Sequence, residues 1–274
     1  METLKKSPVC KGGFRGISEE LVVGFFESPL TALTISTTST VHIMDFLTDS
    51  FMSAFVLLWG LDQELLKIIY VSLKVSSVST LVASLVGIPA GFFIAFGEFR
   101  GKRLLITVLN TLLALPTVVV GLFVYAFISR RGIFGPWDLL YTQKAIIIGQ
   151  VILIIPIVTT FTISAISRID ERYRKTALTL GANALQTAWL IVREARFGIV
   201  AAVVAAFGRV IAEVGISMML GGNAKGFTRT MTTAMALEYD KGEFVLGVAL
   251  GIVLLAVSFG VNLCFNFIQG KARV

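Results

Sequence analysis

The chain has 274 residues, of which 55% are hydrophobic and only 15% charged, against roughly 25% charged residues in soluble proteins; its mean hydropathy is +0.85. Several apolar runs exceed the ~20 residues that cross a bilayer, and the alternation of membrane barrel strands is missing, which excludes a soluble domain and a barrel and leaves an all-α, polytopic membrane protein. The net charge of +7 would point to nucleic acid in a soluble chain, but here the basic residues gather in particular loops, so bilayer orientation accounts for them and no nucleic-acid partner is expected.

Residues 1–43 read differently from the rest. "METLKKSPVCKGGFRG" is basic and glycine-rich, and "TALTISTTST" is polar. The order of a signal peptide, a basic start followed directly by an apolar core, is missing. The expectation is a poorly ordered extension, or an upstream mis-assigned start with Met44 as the natural beginning. Residues 45–60 carry Phe46, Leu47, Phe51, Phe55, Leu58 and Trp59 among polar neighbours, the pattern of a short interfacial helix.

Five spans are expected in the remainder, residues 44–274: about 68–96, 104–128, 145–166, 197–220 and 244–268. Pro89, Pro116 and Pro156 fall inside the first three, as buried membrane helices tolerate. In the first, Ser72, Ser76, Thr80 and Ser84 recur every fourth residue beside a row of Ala83, Gly87 and Gly91. Rows of small residues let helices approach closely, so packing is the expectation there, and also for the Gly247/Gly251 pair in the last span. The loops after the first and third spans and the C-terminal tail hold Arg100, Lys102, Arg103, Arg168, Arg172, Arg174, Lys175, Arg193, Arg196, Lys271 and Arg273; the other side holds Arg130, Arg131, Lys144, Lys225, Arg229 and Lys241. The excess places the C-terminus in the cytoplasm and the N-terminus outside.

Between the third and fourth spans, at about 168–196, lies "ALTLGANALQTAWLIVREAR". Asp170 and Glu171 at the start of a helix and Arg172, Arg174 and Lys175 further on complement its dipole. Gly181 can end that helix in the left-handed conformation, and Asn183 can cap a second short one. Ala184, Leu185, Ala188, Trp189 and Val192 form its apolar stripe, suited to the span ends or to a partner's groove.

In the fourth span Arg209 and Glu213 share a helix face. Both are costly in lipid and should face protein, water or each other, either as a structural ion pair or as charges in a pathway. Gly215, Gly221 and Gly222 follow, then Thr228, Thr230, Thr232 and Thr233 on the outer side. Hydroxyls and free N–H groups at a helix start suit a passing oxyanion; an ordinary polar turn reads the same way. The nearest approach to a phosphate-binding loop is "GEFRGKR", Gly97 to Arg103, with one residue too few between its glycines, Arg103 in place of Ser/Thr, and a span rather than a strand before it. Any ATP used is hydrolysed on another chain, and no cofactor is expected on this one. Cys10 and Cys264 match no metal spacing, and His42 is the one histidine, so neither a metal site nor a His-based catalytic centre is expected.

"KTALTLGANALQTAWLIV" resembles the cytoplasmic loop of ABC importer permeases, Glu-Ala-Ala, three residues, Gly, nine residues, Ile, one residue, Leu-Pro. Ala177 takes the second alanine position, Gly181 the glycine and Ile191 the isoleucine, while Lys175-Thr176 and Arg193-Glu194 depart from the pattern. "AEVGISMMLGGN", Ala212 to Asn223, with "TRTMTTAMALEYDKGEF", is similar to molybdate and, more closely, tungstate permeases, from Met44 to the C-terminus. The resemblance implies the MetI-like ABC permease fold, a homodimer with a pathway along its axis, two cytoplasmic ATPase subunits, and an extracytoplasmic tungstate- or molybdate-binding protein. It assigns ATPase coupling to Ala177, Gly181, Ala182 and Ile191. Taken with the charges and hydroxyls above, it makes Arg209, Glu213, Ser217, Asn223, Thr230 and Thr233 pathway candidates. Sulfate is an alternative cargo. An ion-coupled secondary transporter would need internal repeats and further membrane carboxylates, of which the sequence offers only Glu213.

Overall fold

The computed structural model describes residue 52, residues 59–60, 63–242 and 244–270. The expectations for residues 1–43, for a start at Met44 and for His42 and Cys10 lie outside these residues, as does nearly all of the expected interfacial helix. Trp59, which is described, is almost fully exposed.

Among the described residues the secondary structure is helical, without strands. Helix α1 (Gln63–Phe96) leads to α2 (Lys102–Leu112) and α3 (Thr117–Ile128). A 3-10 turn, Gly135–Trp137, precedes α4 (Gln143–Ser167). Then come α5 (Glu171–Thr179), α6 (Ala184–Ile211), α7 (Gly215–Gly221), α8 (Met231–Lys241) and α9 (Phe244–Gly270). Three stretches are by themselves long and apolar enough to cross a membrane: α1, α4 and Val245–Phe265 within α9. Two bent pairs, α2 with α3 at 99° and α6 with α7 at 59°, bring the number to five if each pair is one crossing.

The break between α2 and α3 has a local cause. Pro116 does not lie inside a continuous second span; it is the N-cap of α3, with φ −63° and ψ 129°. It has no N–H to donate, and its ring disfavours helix at Leu115 before it. Pro89 and Pro156 do lie within α1 and α4. The expected fourth span breaks at Ala212–Val214, between α6 and α7.

The central seam joins α1 to α4. A methyl group on Gly91 would come within 2.7 Å of Thr162 Cβ and 2.8 Å of the Thr159 carbonyl oxygen, and one on Gly87 within 3.0 Å of Val158. Helix backbones can meet this closely only where the side chain is a hydrogen. Ala83, Ile154 and Val158 are buried on the seam, and the Ser79 hydroxyl donates to Gln150 Oε1 at 2.8 Å inside it. The Gly247/Gly251 pair does not form a comparable seam within the chain: a methyl on Gly247 would meet nothing within 4 Å, and one on Gly251 only Met235 Sδ at 3.7 Å. Most of α9 is left uncovered by the rest of the chain.

Candidate functional site: the hairpin and the broken fourth crossing

The hairpin is built by its own short-range chemistry. Asp170 caps α5 by accepting the Arg172 N–H at 2.9 Å. Gly181 takes φ +82°, and the Ala182 N–H closes the turn on the Ala177 carbonyl at 3.0 Å. Asn183 caps α6: its side chain accepts the Gln186 N–H at 2.8 Å while Gln186 Oε1 accepts the Asn183 N–H at 2.9 Å. This reciprocal arrangement satisfies two backbone donors at once. Ala177 is buried, Ile191 packs into a cluster with Ile166, Ala195 and Ile199, Ala182 is half-buried, and Gly181 is exposed at the tip with open space around its Cα.

One expectation about the hairpin changes. Its second helix is not short: α6 runs unbroken from the hairpin to Ile211. Glu194 is consistent with this, a good helix former standing where the family pattern has a proline that breaks helices. The most buried face of this part of α6 lies beside the predicted stripe, which the sequence left free for the span ends or a partner's groove; Val192 of the stripe packs with the buried cluster. Thr187, Ile191, Ala195 and Ile199 are buried, whereas Leu185 is 78% and Trp189 70% exposed. Apolar residues occupy more than one face here, and the tertiary contacts choose between them.

At the upper end, Arg209 and Glu213 meet as their spacing predicts, Nη1 to Oε2 at 3.1 Å. The pair is asymmetric: the Glu213 side chain is 2% exposed and that of Arg209 43%. The other carboxylate oxygen of Glu213 accepts the Ile216 N–H at 3.2 Å, anchoring the first turn of α7. The Glu213 carbonyl accepts the Thr232 hydroxyl at 2.8 Å. Thr232 Oγ1 lies 3.1 Å from Thr230 Oγ1, Thr230 and Thr233 form the capping box of α8, and Asn223 Nδ2 donates to the Thr233 carbonyl at 3.3 Å. Arg209, Glu213, Thr230, Thr233 and Asn223 are thereby joined into one hydrogen-bonded chain, with Thr232 as the link between its two halves.

Ser217 stands apart from this chain. It is fully buried, and its hydroxyl has no hydrogen-bond partner among the described residues. Thr228 has a local task, donating to the Gly221 carbonyl and accepting the Ala224 N–H at 3.0 Å. The Met231 N–H donates to Ser72 Oγ at 2.7 Å, tying the start of α8 to α1.

Sequence reasoning missed three residues here. Glu238 on α8 is a second buried carboxylate, paired with Lys241 at 3.0 Å, so Glu213 is not alone. Gln150 is buried in mid-span; its position inside an apolar run was the available signal. Gly149 lets α7 seat against α4, since a methyl there would lie 2.6 Å from Ile216 Cγ2 and from Leu220 Cδ1. Among the described residues no group of acidic, His or Cys side chains could hold a metal ion, and Cys264 is free.

The family model described as the inner membrane component of binding-protein-dependent transport systems matches residues 87–274. The tungstate uptake system permease protein of Peptoclostridium acidaminophilum is 40% identical over 226 residues, 82% of this chain and 99% of that protein. The molybdenum transport system permease protein of Escherichia coli strain K12 is 28% identical, over 69% of this chain and 90% of its own. Among solved structures, a bacterial ABC transporter involved in alginate import has a chain that superposes with a TM-score of 0.65 at 16% identity, covering 92% of this chain and 99% of that one; at that identity the likeness is one of fold.

Proposed function

Because this chain belongs to the family of inner membrane components of binding-protein-dependent transport systems, we propose that it is the permease of an ATP-driven importer of a tetrahedral oxyanion, tungstate before molybdate or sulfate. The observation that carries the choice of anion is the 40% identity, over most of both chains, to proteins named as tungstate permeases, against 28% for a molybdenum permease. The chain performs no covalent chemistry and binds no cofactor. It works as a homodimer with two copies of a separate ATPase subunit, which bind the ATP, and with an extracytoplasmic protein that delivers the anion. The hairpin lies in the cytoplasm with the C-terminus, and the N-terminus lies outside.

Coupling runs through the hairpin. Ala177 and Ile191 anchor it, and Gly181 and Ala182 present its turn to the ATPase. Because α6 is one helix from Ala184 to Ile211, a displacement of the hairpin is carried as a lever to Arg209 and the break at Glu213. That supports a cycle in which ATP binding draws the two hairpins together and the crossings open outward, with the inward state returning after hydrolysis. Arg209, Glu213, Ser217, Asn223, Thr230 and Thr233 line or support the path. A lone Glu213 would repel an anion; with Arg209 against it that repulsion is neutralised, and the half-exposed guanidinium keeps donors free to face the path.

The test is uptake by the reconstituted permease, ATPase and binding protein. Saturable, ATP-dependent accumulation of tungstate at lower concentration than molybdate or sulfate is expected. Equal or better uptake of molybdate or sulfate overturns the choice of anion, and uptake without the ATPase overturns the class.

A further inference from the structure

Part of the hairpin's exposed apolar face borders a groove against the crossings. Leu185, Ala188 and Trp189 form one wall of a groove whose other walls are Ile88 and Phe92 of α1 and Ile166 of α4, a cavity of about 540 Å³ without polar surface. A second cavity of about 460 Å³ shares Phe92, Leu185 and Ala188 with it and ends at Arg174. The two share these residues as one groove, mainly apolar, with Thr162, Gln186 and Thr187 also in its lining, and cationic at its mouth. Arg174 is the one charged residue lining it. Its neighbours Arg172 and Lys175 are paired with Asp170 and Glu171, while Arg174 makes no ion pair among the described residues. The acidic Glu194 faces a different groove, which it shares with Arg168.

Depth identifies the occupant. α1 ends at Phe96, so Ile88 lies about 12 Å inside that end at 1.5 Å per residue. The groove therefore starts at the end of a membrane-crossing helix and runs into the bilayer, with an exposed tryptophan on its wall as at other membrane boundaries. A soluble partner can reach its mouth but not its apolar floor. An amphiphile with a hydrocarbon chain and a negative head matches both ends. We propose that the groove is the seat of an anionic phospholipid of the cytoplasmic leaflet, one acyl chain lying along α1 and α6 and the phosphate against Arg174. The leaflet rests on the orientation proposed above. The lipid then fills the angle between hairpin and crossings and stiffens the lever that the hairpin drives.

The experiment reads lipid contact and not transport, so its failure is separate from failure of the transport reading. The complete transporter is reconstituted with Trp59→Phe and Trp137→Phe in the permease, and the emission of a parallel sample also carrying Trp189→Phe is subtracted to isolate Trp189. Vesicles contain equal total fractions of phosphatidylcholine and phosphatidylglycerol, and the share of one or the other carrying brominated acyl chains is raised stepwise. Brominated phosphatidylglycerol should quench Trp189 at about fivefold lower mole fraction than brominated phosphatidylcholine, the preference one arginine gives near an anionic surface. Arg174→Gln, at an exposed position, should remove the preference while quenching itself persists. Equal quenching by both lipids in the parent overturns the proposal, as does a preference that survives in Arg174→Gln. Absence of quenching by either lipid shows the groove sealed by protein, the ATPase or a second copy, and overturns it as well.

Discussion

Glu213 has three tasks in one residue: its carboxylate holds Arg209 and the first turn of α7, and its carbonyl holds Thr232. Removing Arg209 leaves a buried carboxylate without its counter-charge, which costs on the order of 1–3 kcal/mol for a buried polar group, toward the low end here because Arg209 is itself half in solvent. Arg209→Ala should lower the unfolding temperature of the detergent-solubilised permease. Adding Glu213→Gln, which removes the charge but keeps an acceptor for the Ile216 N–H, should restore part of the loss. A double-mutant cycle with no coupling energy would show that the pair does not interact. The i, i+4 spacing made this contact legible in the sequence. The burial difference between the partners was not, because it depends on what other elements, α8 with its Thr232 among them, place beside them.

At the scale of elements, two kinds of glycine are distinguished by what surrounds them. Gly91→Ala must push Thr162 or the Thr159 backbone aside, and overpacking of this kind typically costs about 1–3 kcal/mol. Gly247→Ala meets nothing within the chain and should leave the unfolding temperature of the monomeric permease unchanged or slightly raised. Equal effects of the two would argue against the α1–α4 seam as the tight contact. Both rows look alike in sequence, since small residues at every fourth position say that a close approach is possible and not which helix makes it. The hairpin caps were more legible: Asp170, Gly181 and Asn183 act on backbone groups a few residues away, so local chemistry determines them. Asn183→Ala should weaken the start of α6 by about 1 kcal/mol, seen as faster amide hydrogen exchange at residues 184–187 with the crossings unaffected.

At the scale of the whole molecule, the long α6 makes the hairpin and the upper polar chain two ends of one body. Gly181→Trp places a bulky side chain at a left-handed turn where Gly has φ +82°, a conformation that larger residues adopt with strain. The variant should insert and dimerise normally but lose anion-stimulated ATPase activity in the reconstituted complex. Normal stimulation would remove the hairpin from the coupling path. Hydropathy was enough to read an all-helical membrane chain and the approximate positions of its long apolar helices, because bilayer thickness acts on contiguous residues, while the family was legible through the resemblance of the hairpin and of Ala212–Asn223 to known permeases. The bend at Pro116, the unbroken run of α6 through Arg193-Glu194, the buried Glu238, and the choice of Thr187, Ile191, Ala195 and Ile199 over Leu185 and Trp189 as the packed face came only with the tertiary structure. The first two have local causes that a search for apolar runs overlooks, whereas the last two depend on which distant helix arrives alongside: an apolar residue is compatible with lipid, with protein and with a partner subunit, and only the neighbours decide among them.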